Sequence, residues 1–484
     1  MADMNSNIQG VPWDLSGEYE SADCPAIDAD LGLASELMDQ MTEQNSVLVP
    51  LLEQAESLGV EGAVGGIAAA REIHRLREEV RLLLDNPESY ADCCMSVDSQ
   101  DEAAQVLSGR LQSYQKRFTE LSQPWSQFLD LVSLEVVEAY LDHELTRATR
   151  FVVEHARKRR DFNLSLVEET LISGLSQDGI HAWGRLYDQL AGSLTCDVLI
   201  GNESESMGLA EASGLLQKPD DRTRENAWRS INASWGEHVE SCAAAINAIA
   251  GWRLELGRRR SNKNPMHFLD SAVHMNRISR TTLETVLAVA EESIPLARRA
   301  ALLQATAYGK DQYGPWDQRS PAPTGNGEDR PIPYTEALEL IASAYRSVDP
   351  AMGEFVEMMA ERQWIEGTVG PRKRPGAYCT GFPKSRTPRV YMTYTGGASD
   401  VITLAHELGH AFHSWTMRDL PDSQQSYGMS LAETASTFGE TIVRDALLER
   451  AGTPTEELAI AWEETGALIS VSYTHLTLPT SDLV

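Results

Sequence analysis

The 484-residue chain is 42% apolar and 23% charged, a composition typical of globular proteins that excludes a disordered tail or a membrane-spanning bundle. Its formal net charge of −31 argues against a nucleic acid partner, because phosphates would be repelled over most of the surface. The six cysteines lack metal-binding spacing, no apolar run is long enough to cross a bilayer, and the segment Met1–Gly10 is polar. Together these features predict a cytoplasmic protein without a membrane partner.

Most of the sequence has the apolar periodicity of α-helices, and alternating, strand-like patterns are scarce. The predicted helices, in chain order, are Leu31–Leu58, Ala68–Leu84, Ala103–Leu121, Phe128–Ala156, Leu166–Leu190, Glu225–Leu256, Thr281–Ala307, Tyr334–Ser347 and Met352–Trp364. Gly and Pro interrupt the pattern in Tyr313–Pro333 and in Gly367–Gly397. The second of these loops encloses Arg389–Thr395, whose β-branched and aromatic residues predict a strand. The sequence therefore predicts a mainly α fold with a small β edge.

The character of the sequence changes near the end of the chain. Thr453 and Glu456 have the spacing of a capping box, so a helix is predicted from Pro454 to about Ile469. From Val471 onward the sequence resembles a translated sequencing adapter. We therefore expect residues 471–484 to be a non-native tail and the native sequence to continue beyond Ile469. The alternative is a genuine short terminal strand.

Two histidines in the run TLAHELGHAF have the spacing of metal ligands. His406 and His410 lie about 40° apart on a helix, so both imidazoles project from one face and can hold one ion. Glu407 lies about 100° round the helix from His406, where it is badly placed as a ligand but can take a proton from a water on the metal. These ligand types favour one zinc ion per chain. The alternative is an amphipathic helix with packed histidines.

A catalytic zinc needs a third protein ligand, and Glu433 is the nearest good candidate. It lies 23 residues after His410 in Ser430–Arg444, a segment that predicts a helix. Glu440 is two turns further along the same face, where it could hydrogen-bond a ligating imidazole. A surface carboxylate is the alternative for Glu440.

The residues around this motif narrow the class of site. One class of zinc peptidase has a glycine and a third histidine further along the same helix, but here His413 and Thr416 hold those places, which excludes that class. His413 follows His410 by one turn and could touch the site, although a packed structural role is the favoured interpretation. Asp400 is placed to cap the start of the helix. Three short basic runs are interpreted as solvated surface: Arg157–Arg160, Arg258–Arg260 and Arg372–Arg374.

Several segments together form a family pattern. The specific ones are Gly376–Cys379, Tyr391–Tyr394, Asp400–His410 and Leu431–Phe438, and weaker ones such as Trp13–Ser16 extend over most of the chain. They resemble the oligoendopeptidase F branch of the thimet-oligopeptidase family of zinc metallopeptidases. The resemblance implies a zincin-type, mainly helical, clam-like body with a deep channel for short peptides.

The resemblance also implies roles for residues. His406, His410 and Glu433 would bind zinc, and Glu407 would be the general base of a metalloendopeptidase that hydrolyses short oligopeptides. The strand Arg389–Thr395 would run beside the site, where an extended peptide could pair with its edge. The implied domains are a helical region at 1–115, an N-terminal domain of the oligoendopeptidase F type at 116–190 and an incomplete catalytic domain at 191–470.

The chain departs from the family downstream of Glu440. There the family has a His- and Tyr-rich segment that hydrogen-bonds the developing oxyanion, whereas here only Tyr473 and His475 follow, both in the unusual tail. Losing such donors costs about 10²–10³-fold in turnover for each group, so we expect zinc binding with poor hydrolysis. The alternatives are a peptide- and zinc-binding fragment without activity, and an aminopeptidase or dipeptidase on a related scaffold. The sequence does not predict an oligomeric state.

Overall fold

The computed structural model describes residues 8–261, 263–323, 331–370, 372–374 and 376–477. The chain forms two compact units, each built from several stretches. The first unit takes the chain up to Leu175, Arg259–Pro265 and Pro331–Val443, and the second takes Ser176–Arg258, Met266–Arg330 and the chain from Arg444 onward. The domain boundaries predicted near residues 115 and 190 remain predictions.

Helices dominate both units, which confirms the predicted fold class. In chain order they are α1 (Pro25–Leu52), α2 (Val60–Val97), α3 (Glu102–Leu131), α4 (Leu134–Leu141), α5 (Arg150–Arg157), α6 (Leu166–Ser176), α7 (Ile180–Ser193), α8 (Leu209–Gly214), α9 (Asp221–Gly236), α10 (Val239–Arg260), α11 (Asp270–Met275), α12 (Arg280–Ala307), α13 (Tyr334–Val348), α14 (Pro350–Glu361), α15 (Ala398–Met417), α16 (Asp422–Gln425), α17 (Met429–Arg450) and α18 (Pro454–Thr477). No helix within the described ranges is both long and apolar enough to cross a membrane.

Three of the predicted helices are wrong as single elements. Phe128–Ala156 breaks at Ser133, whose backbone is extended, and continues as α4 and α5. Leu166–Leu190 divides into α6 and α7 just before Ile180, and Glu225–Leu256 divides after Gly236. The apolar spacing in the sequence runs across these breaks without a change of period. Periodicity alone therefore does not locate the interruptions.

The strands form two small sheets. In the second unit β1 (Thr195–Ile200) pairs antiparallel with β2 (Glu203–Gly208). The first unit contains β3 (Ile365–Glu366), β4 (Tyr378–Phe382) and β5 (Thr387–Tyr391) in the order β3–β5–β4. The pair β3–β5 is parallel and the pair β4–β5 is antiparallel.

The strand predicted at Arg389–Thr395 forms, but its bounds and its role at an edge are wrong. The observed strand β5 begins two residues earlier, at Thr387, and lies in the middle of its sheet. Pro388 faces the same side of β5 as Val390, whose N–H donates to the carbonyl of Trp364. Its missing N–H is tolerated because β3 pairs only with Val390 and Tyr391 and so does not extend to Pro388. The two edges of this sheet therefore belong to β3 and β4.

The last helix begins as predicted but ends later. The Oε2 of Glu456 accepts hydrogen bonds from the N–H groups of Gly452 and Thr453, and the Thr453 hydroxyl accepts one from the Glu456 N–H, which is the predicted capping box. The backbone stays helical to Thr477 rather than to Ile469, so neither the predicted end nor a strand at this place is correct. Residues 478–484 of the predicted tail lie outside the described residues.

Candidate metal centre

Helix α15 carries both histidines of the predicted site, and its N-terminal cap and its apolar face fix its position. Gly397 precedes the helix in an extended conformation, and the Asp400 Oδ2 accepts hydrogen bonds from the N–H groups of Thr395 and Gly397 at 2.7 and 3.2 Å. The predicted capping role of Asp400 is thus confirmed, from the third position of the helix. On the opposite face Leu404 and Leu408 are fully buried, which fixes the rotation of the helix about its axis.

Two glycines allow α15 and α17 to approach closely. A Cβ atom on Gly409 would lie 2.7 Å from the carbonyl oxygen of Ala435 and 2.9 Å from the Cα of Ser436. A Cβ on Gly439 would overlap the hydroxyl of Tyr345, which donates a hydrogen bond of 2.6 Å to the carbonyl of Ala405. The absence of side chains at these two positions brings the carboxylates of α17 to the imidazoles of α15.

We expect Gly409→Ala to destabilise the protein by about 1–3 kcal/mol, because the added methyl group meets backbone atoms that no rotamer change can move. The measurement is the midpoint of thermal unfolding of metal-free protein. Gly65→Ala is the matched control, since Gly65 is an exposed residue of α2 with nothing within 4 Å of the added Cβ. That control should be neutral or stabilising by up to about 1 kcal/mol. A Gly409→Ala midpoint equal to that of the unsubstituted chain would refute the close-packing argument.

Three side chains converge on one point between the two helices. The Nε2 atoms of His406 and His410 lie 3.2 Å apart, and the Oε2 of Glu433 lies 3.3 Å from the first and 3.4 Å from the second. Each residue therefore offers one ligand atom to a shared position, as a single metal ion requires. The three residues that the sequence predicts as ligands are together in space.

Neighbouring groups orient two of these three side chains. Glu440 Oε1 lies 2.6 Å from His406 Nδ1, so this nitrogen donates its proton to the carboxylate and Nε2 turns its lone pair towards the cluster. The hydroxyl of Ser436 donates a hydrogen bond of 2.8 Å to Glu433 Oε2. The predicted position of Glu440 beside an imidazole of this cluster is what the structure has. Ser436 was missed, although its spacing of three residues from Glu433 is a signal for a contact on one helix.

Glu407 lies beside the cluster and is almost wholly buried, with 5% of its surface exposed. Its Oε2 has no hydrogen-bond partner among the described residues. Burial, together with the charges of Glu433 and Glu440, raises the pKa of Glu407 to about 7, against the opposing charge of His406. A carboxyl group with this pKa can both accept and release a proton near neutral pH.

The imidazoles respond differently to the same surroundings. Burial lowers the pKa of His406, but the hydrogen bond that it donates to Glu440 and the charges of the nearby carboxylates outweigh burial and raise this pKa overall. Burial and the charge of His406 lower the pKa of His410. A neutral imidazole is the form that binds a metal, so His410 is suited to bind without first losing a proton.

His413 lies outside the cluster of His406, His410 and Glu433. Its ring packs against Tyr427 with the ring centroids 4.5 Å apart, and burial lowers its pKa. This contact supports the packed role rather than a direct one, although the charge of His413 still lowers the pKa of His410.

Comparisons with known proteins identify the family to which the chain is related. The sequence profile of Peptidase family M3 matches residues 214–469, and that of Oligopeptidase F matches residues 129–195. The chain is similar to oligopeptidase PepF of Bacillus subtilis, at 21% identity over 66% of this chain and 48% of the relative. It is also similar to the group B oligopeptidase PepB of Streptococcus agalactiae, at 24% identity over 59% of this chain and 47% of the relative. The chain thus spans about half the length of these two relatives.

The fold is shared with solved structures. Oligoendopeptidase F from Enterococcus faecium superposes with a TM-score of 0.63 at 17% identity, over 94% of this chain and 73% of that one. Pz peptidase A, solved with an inhibitor, superposes with a TM-score of 0.67 over 89% of this chain and 73% of that one. Because the matched profile covers more than half of the sequence, including all four residues of the predicted site, the chain belongs to peptidase family M3, in its oligoendopeptidase F branch.

Proposed function

We propose that the chain is a zinc-dependent metalloendopeptidase for short oligopeptides. The observation that carries this proposal is the triangle of donor atoms from His406, His410 and Glu433, with edges of 3.2, 3.3 and 3.4 Å. Ligands about 2.0–2.1 Å from a tetrahedral zinc are separated by about 3.3 Å, so the triangle fits one face of such a site. Two imidazoles and one carboxylate are also the donor types of catalytic zinc, which leaves one position for water or substrate.

When bound, zinc would supply Lewis acidity, lowering the pKa of water and polarising a peptide carbonyl. Glu407 would then take a proton and pass it to the amine that leaves, a task for which its buried carboxyl and pKa of about 7 are suited. Glu440 would hold His406 in the tautomer whose Nε2 is free to bind. Ser436 would fix which oxygen of Glu433 faces the imidazoles.

The proposed substrates are short peptides, since the matched relatives are named oligopeptidases. The cytoplasmic location, the absence of nucleic acid partners and the single zinc per chain remain predictions. So does the expectation of poor hydrolysis. A fragment that binds peptide and zinc without turnover is the competing function, and it predicts no product under any condition.

The test is digestion of a peptide of about ten residues that is acetylated at its N-terminus, followed by mass spectrometry of the products. An endopeptidase should cut an internal bond and give two fragments that persist at early times. Successive release of single residues or dipeptides would instead indicate an exopeptidase. The same peptide with a free N-terminus is digested in parallel. If neither peptide gives a product, the chain is better described as a fragment that binds peptide and zinc without turnover.

A further inference from the structure

Tyr345 is a buried residue of α13 that reaches the crossing of α15 and α17. Its side chain is fully buried, and its hydroxyl donates a hydrogen bond of 2.6 Å to the main-chain carbonyl of Ala405. Within α15 this carbonyl also accepts the helical hydrogen bond from the N–H of Gly409. The helix therefore does not need the hydroxyl, and the bond from Tyr345 has to be explained by something other than the folding of α15.

The crossing is closest where small residues meet. Ala405 and Gly409 are one turn apart on α15, and Ala435 and Gly439 are one turn apart on α17. A Cβ on Gly439 would lie 3.0 Å from the carbonyl oxygen of Ala405, just as a Cβ on Gly409 would lie 2.7 Å from that of Ala435. The two helices are thus antiparallel at this point, and Gly439 is opposite Ala405.

The hydroxyl of Tyr345 fills the place that a side chain on Gly439 would take. A Cβ there would overlap the hydroxyl and would lie 3.2 Å from the ring carbon that carries it. The hydroxyl is therefore in contact with the carbonyl of Ala405 on one side and with Gly439 on the other. These two residues directly precede His406 and Glu440, so the hydroxyl lies against the backbone just before each member of that pair.

The charge of Glu440 is further evidence of this proximity. Burial raises the pKa of Tyr345, and the nearby Glu440 carboxylate raises this pKa further. The same carboxylate lies 2.6 Å from His406 Nδ1, and this contact determines which ring nitrogen of His406 carries the proton. A change in the spacing of α15 and α17 at this turn would therefore alter the position of that proton, and with it the lone pair on Nε2.

We propose that Tyr345 is a positioning residue, whose hydroxyl sets the separation between His406 and Glu440 and thereby the affinity of the site for zinc. Tyr345 is not one of the three converging donors, so it acts through this pair. A hydroxyl held between two helices is suited to this task, because a tyrosine ring in a packed interior has few alternative positions. The inference rests on the proposed zinc peptidase and identifies a residue outside α15 and α17 on which the geometry of the site depends.

The first test is the zinc affinity of Tyr345→Phe, measured by competition with a chelator. The substitution keeps the ring and removes only the hydroxyl, so affinity should fall by about 3–10-fold, the change that one hydrogen bond of ordinary strength is worth. Tyr394→Phe is the matched control, because Tyr394 is also fully buried and its hydroxyl donates a hydrogen bond of 2.9 Å to the main-chain carbonyl of Ile332. Both substitutions should lower the thermal midpoint of the metal-free chain by similar amounts, but Tyr394→Phe should leave zinc affinity unchanged.

A double-mutant cycle shows whether Tyr345 acts through Glu440. Glu440→Ala removes the carboxylate that Tyr345 is proposed to place, so adding Tyr345→Phe should cost little further zinc affinity. Two losses that multiply as independent effects would overturn the inference. Equal zinc affinity in Tyr345→Phe and in the unsubstituted chain would overturn it as well.

The last test uses the metal-free chain, so its result does not depend on hydrolysis or on tight binding of zinc. NMR of isotope-labelled histidine rings, at a pH where the rings are neutral and with His406→Ala to assign the signal, distinguishes a proton on Nδ1 from one on Nε2. His406 should carry its proton on Nδ1 in the unsubstituted chain and in Tyr394→Phe, and the proton should shift towards Nε2 in Tyr345→Phe. If Tyr345→Phe leaves the proton on Nδ1, the inference is wrong even when zinc binds and peptides are cleaved. If the proton shifts while the chain cleaves no peptide, the inference stands and the peptidase is refuted.

Discussion

Glu407→Gln should lower kcat/KM for an internally quenched peptide by about 10²–10⁴-fold, the range that a general acid–base group contributes. Glutamine has the shape of glutamate but cannot take a proton at this position. Because Glu407 is not one of the three converging donors, zinc content should stay the same. Removing a buried carboxyl that has an oxygen without a partner should also leave the fold intact.

Glu449→Gln provides the matched control, since Glu449 is an exposed glutamate of α17, and its activity should equal that of the unsubstituted chain. Activity should be compared at equal zinc content, determined for each preparation. A Glu407→Gln protein that cleaves the peptide at the full rate would show that another group accepts the proton. A chain without activity before substitution would leave the binding fragment as the better description.

Glu433→Ala should weaken zinc binding by more than the roughly 10–100-fold that is typical of losing an outer-shell partner. The substitution removes one of three donors, and the two imidazoles that remain have to share the ion with water. In the unsubstituted chain, free zinc at 100 times its Kd should stabilise the fold by about 2.7 kcal/mol. In Glu433→Ala the same zinc concentration should give little or no stabilisation.

A graded series sharpens this experiment. Glu440→Gln keeps all three donors and loses only the charge of the group that accepts the proton of His406 Nδ1, so its zinc affinity should fall by about 10–100-fold. Glu449→Ala should bind zinc like the unsubstituted chain. The expected order of affinity is therefore Glu449→Ala, then Glu440→Gln, then Glu433→Ala. If Glu433→Ala retained full affinity, the third donor would have to come from another residue.

The local part of the site could be predicted because helix geometry fixes it. Two histidines four residues apart must share a face, and a glutamate beside the first must lie about 100° away, whatever the rest of the fold. The position of Glu433 against this pair depends on tertiary packing instead. Glu433 reaches the two histidines because α15 and α17 approach closely at Gly409. The sequence gives no sign that this glycine meets the backbone of Ala435.

The sheet was predicted less well for physical reasons. Strand β4 contains Gly381 and is only partly buried, so neither β propensity nor alternation is strong enough to identify it. Register and strand order depend on contacts such as the hydrogen bond from the N–H of Val390 to the carbonyl of Trp364. These contacts join residues that are far apart in the sequence, so no local pattern predicts them.

The most direct test is the zinc content of the folded chain, measured by mass spectrometry of the metal after reconstitution and removal of free ions. We expect one zinc per chain, and a large loss of zinc in each of His406→Ala, His410→Ala and Glu433→Ala. Substoichiometric zinc in the unsubstituted chain, or zinc that persists at one per chain after these substitutions, would contradict the proposed zinc site.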